Sequence, residues 1–351
     1  MPGQRRRREL DEDDIRVRPG RGKSRPRTKD RPEHAGATEG RVVAVDRGRY
    51  TCVVDEESEP RELTAMKARE LGRKGVVVGD RVALVGDLSG GADALARVVR
   101  VEPRSNTLRR TADDTDPVER VLVANADQLV VVTATVNPEP RPRLLDRCLV
   151  AAYDAGLDPL LCITKTDLKP PAELIEAYSA LDVPWIASRP GDGLAELRSR
   201  LRGRTSVLVG HSGVGKSTLV NALVPGARRA VGHVNAVTGR GRHTSSSAIA
   251  LRLPDGSGWV IDTPGVRSFG LAHVDPSRVV GAFPDLAAGM EECPRGCTHD
   301  EPECALDEWV GSGSAGPAGP ARLESLRRLL RARSGAVDDV PETDDLPQAE
   351  D

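Results

Sequence analysis

The chain has 351 residues, room for two or three domains, and its formal net charge of −2 excludes a polycation along its whole length. No apolar run reaches membrane-spanning length, and the arginine-rich start lacks the apolar stretch of a signal peptide, so no membrane association is expected. Three of the six cysteines crowd into twelve residues beside a histidine, which argues against a secreted disulfide framework and for a reducing, cytoplasmic setting.

Residues 1–35 are rich in arginine, proline and glycine. Residues 1–32 hold twelve Lys/Arg and six acids. A disordered basic arm for nucleic-acid phosphates is expected there, with a plain solvated tail as the alternative. Between 36 and 103 short β-branched runs recur at 41–45, 50–54, 76–78, 80–85 and 95–99. Short strands at this spacing predict a small β-barrel of the OB-fold kind, an RNA-binding domain. Tyr50 is its only aromatic residue. RNA contact would therefore rest on phosphates and shape, through Arg41, Arg47, Arg49, Lys67, Arg69, Arg73 and Lys74.

Residues 102–120 are polar, with Arg104, Arg109, Arg110 and Arg120, and read as a linker that touches a partner. A strand at 128–133 and a helix at 144–155 follow. The next strand, 159–163, runs into Thr164-Lys165-Thr166-Asp167. A helix at 174–181 and a strand at 183–187 complete the pattern. Strands alternating with helices predict a parallel α/β sheet, whose ligands bind at the carboxyl ends of the strands.

One such end carries the most specific motif. The apolar run 206–209 leads into Gly210-His211-Ser212-Gly213-Val214-Gly215-Lys216-Ser217, and Thr218 continues into a helical run. Strand, glycine-rich turn and helix form the context of a phosphate-binding loop. Glycines let backbone N–H groups turn onto phosphates, and the helix start adds partial positive charge. Lys216 reaches the phosphates as a point charge, and the Ser217 hydroxyl can hold Mg²⁺.

Residues 239–246 are too glycine-rich and polar for an element interior and read as a mobile loop. The strand 258–261 ends in Asp262-Thr263-Pro264-Gly265. Asp262 can serve the Mg²⁺ shell, and the Gly265 N–H can meet a γ-phosphate. Further on, Cys293, Cys297, His299 and Cys304 offer three thiolates and one imidazole, the ligand set of a closed structural zinc site. A flexible linker is expected at 311–320. A basic amphipathic helix at 321–333 places Leu323, Leu326, Leu329 and Leu330 on one face. The end, 334–351, reads as a disordered acidic tail.

Phosphate loop, Asp-x-x-Gly and Lys-x-Asp together resemble the GTPase set, in a circularly permuted order with Thr164–Asp167 first. The preceding barrel and the following Cys₃His cluster narrow the likeness, and the chain resembles the RsgA/YjeQ family of ribosome small subunit-dependent GTPases over residues 36–333. The resemblance implies an OB-fold domain at 36–103, a permuted P-loop GTPase domain at 104–272 and a zinc-binding helical domain at 273–333. It implies GTP hydrolysis, stimulated by the small ribosomal subunit and its rRNA, late in maturation of that subunit. One structural Zn²⁺, Mg²⁺ with GTP, and a monomer are expected. Asp167 would accept from the guanine N1 and N2 edge, flanked by Lys165, and the Ser188 N–H would meet the guanine oxygen. The family usually has Asn where Thr164 stands, and four residues rather than three between the first two cysteines. Val266 follows Gly265, where Ras-type enzymes carry a water-orienting glutamine. His243 is then the candidate to orient the water, with Thr244 on Mg²⁺. Two other readings are a large-subunit permuted GTPase, disfavoured by barrel and cluster, and an inactive RNA-binding factor that uses GTP and GDP only as a switch.

Overall fold

The computed structural model describes residues 34–55, 59–72, 75–91, 93–111, 119–227, 248–263, 269, 271, 274–301 and 304–334. Residues 1–33 of the basic arm, the 239–246 loop and residues 335–351 of the acidic tail lie outside these residues.

The first five strands close into a barrel. They are β1 (Thr38–Asp46), β2 (Arg49–Val54), β3 (Arg61–Lys67), β4 (Arg81–Gly86) and β5 (Ala96–Val101). Their order is β1-β2-β3-β5-β4, and β4 pairs back onto β1. Only β3 and β5 run parallel. This is the five-stranded OB-fold barrel that the sequence predicts. Alternation sets its interior: Tyr50, Cys52 and Val54 of β2 point inward beside Val42, Leu63 and Leu84, whereas Val53 points out into a different core.

The third strand is a correction. The β-branched run at 76–78 is not a strand; Val76 and Val78 are buried in a loop, and Val78 makes one isolated bridge to Val123. The true third strand reads RELTAMK, in which only Leu63 and Ala65 are fully buried. Two small inward positions among polar ones give little hydrophobic signal.

The polar stretch expected as a linker also folds. Strands β6 (Thr107–Thr111) and β7 (Glu119–Ala124) pair as an antiparallel hairpin. Leu108 and Val123 anchor it in the core. Arg104 has a structural partner: its guanidinium grips the fully buried Asp80 carboxylate at 2.7 and 2.8 Å. Gly79 lies against this hairpin; a Cβ there would sit 2.0 Å from the Ala124 carbonyl oxygen. Only glycine permits so close an approach.

The α/β layer contains β8 (Gln128–Ala134), α1 (Pro142–Ala155), β9 (Asp158–Thr164), α2 (Ala172–Tyr178), β10 (Trp185–Ala187), α3 (Leu194–Leu201), β11 (Thr205–Val209), α4 (Lys216–Leu223), β12 (Ile249–Arg252) and β13 (Trp259–Asp262). The strand order is β10-β9-β8-β11-β13-β12, parallel except for β12. Each central strand is buried on both faces, as a parallel sheet requires. In β8, Leu129 and Val131 face one core with α1, whereas Val130 and Val132 face another with α3 and α4. The sheet continues into the barrel through β12 and β1, where Ala44 pairs with Ile249.

The C-terminal part adds short helices α5 (Pro276–Gly281), α6 (Pro284–Ala287) and α7 (Ala305–Gly311), then α8 (Gly319–Ser334). Leu323, Leu326, Leu329 and Leu330 of α8 enter the same core as Leu145 and Leu149 of α1. Each buried leucine contributes about 1.5–3 kcal/mol of transfer free energy. The expected flexible linker at 311–320 is a set of hydrogen-bonded turns: Ser312 N–H donates to Glu308 O and Ser314 N–H to Trp309 O.

Candidate nucleotide site and metal centre

The phosphate loop lies where β11 meets α4. All five residues of β11 are buried, so the strand end is fixed from both faces. Gly210 starts the turn at a point where a Cβ would lie 2.4 Å from the Val132 carbonyl oxygen. Gly213 and Gly215 take φ of 82° and 90°, and Gly215 precedes the helix with no side-chain cap. No side chain caps the first amides of α4, and uncapped amides at a helix start suit an anion. Val214 is buried in the core shared with Leu219 and Val220, which pins the middle of the loop. Ser212, Gly213, Ser217 and Thr218 are exposed along it.

Lys216 is buried. Its Nζ donates to Asp262 Oδ1 and to the Thr263 carbonyl oxygen, both at 2.5 Å. Asp262 ends β13, the parallel neighbour of β11, so one lysine joins the two strand ends. Thr263 is fully buried, and its hydroxyl donates to Leu208 O at 2.7 Å. The glycine-rich loop and the start of the Asp-x-x-Gly motif are thus brought together. Gly265 lies outside the described residues, as do His243, Thr244 and Val266.

The Lys-x-Asp motif lies two strands away, at the end of β9. The Thr164 hydroxyl is 2.6 Å from Val214 O in the phosphate loop. Lys165 takes a positive φ of 56°, and its ammonium donates to the Asn137 carbonyl oxygen. The Thr135 hydroxyl donates to Lys165 O at 2.8 Å. Asp167 is exposed at the end of this turn. Ser188 stands beside it at the end of β10, but its amide has another partner. The Ser188 N–H donates to Ile163 O at 2.7 Å, which extends the β9–β10 ladder by one bond. A guanine oxygen would have to share or displace that bond. Thr135 and Asn137 belong to no motif, and Thr263 is a variable position inside Asp-x-x-Gly; the signal they share is a place just after a buried parallel strand.

The second site is the cysteine cluster between α6 and α7. The ligand atoms of Cys293, Cys297, His299 and Cys304 all lie within 4.8 Å of one another. Cys293 Sγ is 3.6 Å from His299 Nδ1 and 3.9 Å from Cys304 Sγ, and Cys304 Sγ is 3.7 Å from that nitrogen. A tetrahedral ion with metal–sulfur bonds of about 2.3 Å sets its ligands roughly 3.5–3.8 Å apart, so the donors fit such an ion. Burial holds the His299 pKa below its ordinary value, which favours the neutral imidazole that a metal needs. The neighbouring Glu301 carboxylate accepts the Thr298 N–H, which lowers its pKa to about 2. Arg327 holds the loop by donating to His299 O at 2.8 Å.

Comparison with known proteins follows the same outline. A family model described as RsgA GTPase matches residues 101–272. A small ribosomal subunit biogenesis GTPase RsgA from Pseudomonas aeruginosa is 39% identical over 279 residues, 77% of each chain. Its namesake from Gemmatimonas aurantiaca is 37% identical over 276 residues, 77% of this chain and 89% of that one. The crystal structure of YjeQ from Thermotoga maritima superposes with a TM-score of 0.61 at 28% identity, covering 85% of this chain and 99% of that one. YloQ, described as a circularly permuted GTPase, shares the fold at a TM-score of 0.60 and 24% identity, covering 88% of this chain and 98% of that one. Barrel, permuted sheet and cysteine cluster therefore occur together, in one order, in a chain with relatives above one-third identity, and the chain belongs to the RsgA family of GTPases.

Proposed function

We propose that this protein binds the small ribosomal subunit and hydrolyses GTP to GDP and phosphate late in that subunit's maturation. The observation that carries the reading is Lys216, held between Asp262 and Thr263 at adjacent strand ends, at the start of a helix whose first amides no side chain caps. A γ-phosphate entering there meets a preset cation and oriented dipoles, which stabilise charge developing on its oxygens. Asp167 selects guanine through its N1 and N2 donors, with Lys165 alongside. Gly210, Ser212, Gly213, Val214, Gly215 and Thr218 line the phosphates, and Gly265 contacts the γ-phosphate. Ser217 and Asp262 offer the hard oxygen donors that Mg²⁺ takes, and the ion would supply countercharge to the phosphates. His243 orients the attacking water with Thr244 as its neighbour, since Val266 has no group that bonds water.

The cysteine cluster, we infer, holds one structural Zn²⁺: three thiolates and an imidazole suit that ion. The barrel at 36–103 and the helices at 273–333 flank the GTPase part at 104–272 and contact rRNA. The protein acts as a monomer in the cytoplasm; among the described residues no helix is long and apolar enough to cross a membrane. Membership of a GTPase family weighs against a binding-only switch.

Phosphate release from GTP, with and without purified small subunits, tests the reading. Slow turnover alone and a clear rise with subunits are expected. His243→Ala should keep GDP binding and lose about 10²- to 10⁴-fold of the stimulated rate. No hydrolysis under either condition would leave the binding-only alternative standing.

A further inference from the structure

Thr164 is the last residue of β9, and only 7% of its surface is exposed. Its Oγ1 lies 2.6 Å from Val214 O and 3.2 Å from Thr133 O. Both neighbours are carbonyl oxygens and can only accept. A threonine hydroxyl has one proton, so that proton goes to a carbonyl, and the shorter contact takes it. What remains on Oγ1 is lone pairs. The N7 of a purine is itself an acceptor, and lone pairs cannot bond it.

The same bond has a mechanical consequence. Val214 sits in the phosphate loop between Gly213 and Gly215, whereas Thr164 opens the turn that leads to Asp167. The Thr135 N–H donates to Thr164 O at 3.1 Å, and the Thr135 hydroxyl holds Lys165 O. Base-reading turn and phosphate loop are therefore joined through one buried hydroxyl.

We propose that Thr164 is a positioning residue that ties the base-reading turn to the phosphate loop, and that guanine is selected with its N7 unread. The proposal rests on the GTPase reading above. It predicts an unusual tolerance: a guanine nucleotide whose N7 is replaced by carbon binds as well as the natural one.

Equilibrium titrations of GDP, 7-deaza-GDP and ADP against the full chain, Thr164→Val and Thr164→Ser test it. In the parent, GDP and 7-deaza-GDP should agree within about twofold, and ADP should bind more weakly. Thr164→Val removes the proton at nearly constant shape and leaves Val214 O without its donor. It should weaken both guanine nucleotides together by about tenfold, with their ratio unchanged. Thr164→Ser, which keeps the hydroxyl, should restore them. A tenfold loss for 7-deaza-GDP in the parent would overturn the unread N7, and undiminished GDP binding by Thr164→Val would overturn the tie. The parent titrations decide the first point even where the valine variant fails to fold. Equal binding of GDP and ADP by the parent would instead bring down the guanine-specific reading, and this proposal with it.

Discussion

Asp167 is exposed at the end of a turn whose other polar groups are engaged. Lys165 bonds Asn137 O, and Thr164 bonds Val214 O. Among the described residues no hydrogen bond or ion pair occupies the Asp167 carboxylate. A carboxylate offers acceptors only, so it suits the two donors on guanine's Watson–Crick edge and not the adenine edge. Asp167→Asn turns one acceptor into a donor facing guanine's own donors. The loss of GDP affinity should be on the order of 1–3 kcal/mol, with ADP nearly unchanged, as read by titration of both nucleotides. Equal losses for GDP and ADP would remove Asp167 from base choice. The place of this residue, at a turn after a buried strand, was legible from the Lys-x-Asp spacing. The Ser188 amide was legible as a position but not in its bonding. No pattern of residue types reveals that a ladder bond to Ile163 O claims it.

The elements divide along the same physical line. Strands β8, β9 and β11 are runs of buried apolar residues and could be read directly. Strand β3 could not, because a barrel this small needs only Leu63 and Ala65 from it. The β6–β7 hairpin hid behind its arginines, since one leucine and one valine suffice to anchor it. Helices α5, α6 and α7 span six, four and seven residues, too few for a helical period to show. Such short helices depend on what staples them. Between α6 and α7, Cys293, Cys297, His299 and Cys304 converge while the surrounding segment has few buried apolar residues of its own. A metal bound there would contribute folding free energy directly. Elemental analysis should find one zinc per chain, lost in Cys297→Ala. The variant should also expose the 288–311 segment to protease ahead of the α/β layer. Zinc retained at full stoichiometry in Cys297→Ala would refute this ligand set.

At the scale of the molecule, arginines tie the C-terminal helices to the α/β layer and to the segment that follows β13. Arg322 of α8 is buried and reaches Asp285 at 2.6 and 2.8 Å and Asp182 at 2.6 Å, with its guanidinium 5.1 Å over Phe283. Arg328 of α8 meets the buried Asp146 of α1 at 3.1 Å, and Tyr178 donates to the same carboxylate. Helix α1 is therefore fixed to α8. It also holds the segment after β13, because Arg147 donates to Phe269 O at 3.0 and 2.6 Å. Phe269 follows Asp262 by seven residues, and its ring is fully buried. The chain that follows β13 is thus held, at Phe269, to the helix that packs on α8. A ligand shifts an equilibrium only by its differential affinity for two states. If γ-phosphate contact changes how the Asp262 segment sits, Arg147 transmits that change to the surface presented by the C-terminal helices. Small subunits should bind the parent more tightly with a non-hydrolysable GTP analogue than with GDP. Arg147→Ala should shrink that difference towards unity while GDP affinity stays within about twofold. The lost charged hydrogen bonds should cost roughly 1.5–3 kcal/mol of stability, so binding is measured well below the variant's melting temperature. Linkage requires the converse as well: subunits should raise the parent's preference for the GTP analogue over GDP, and raise it less in the variant. An undiminished preference in Arg147→Ala would show that coupling passes through another contact.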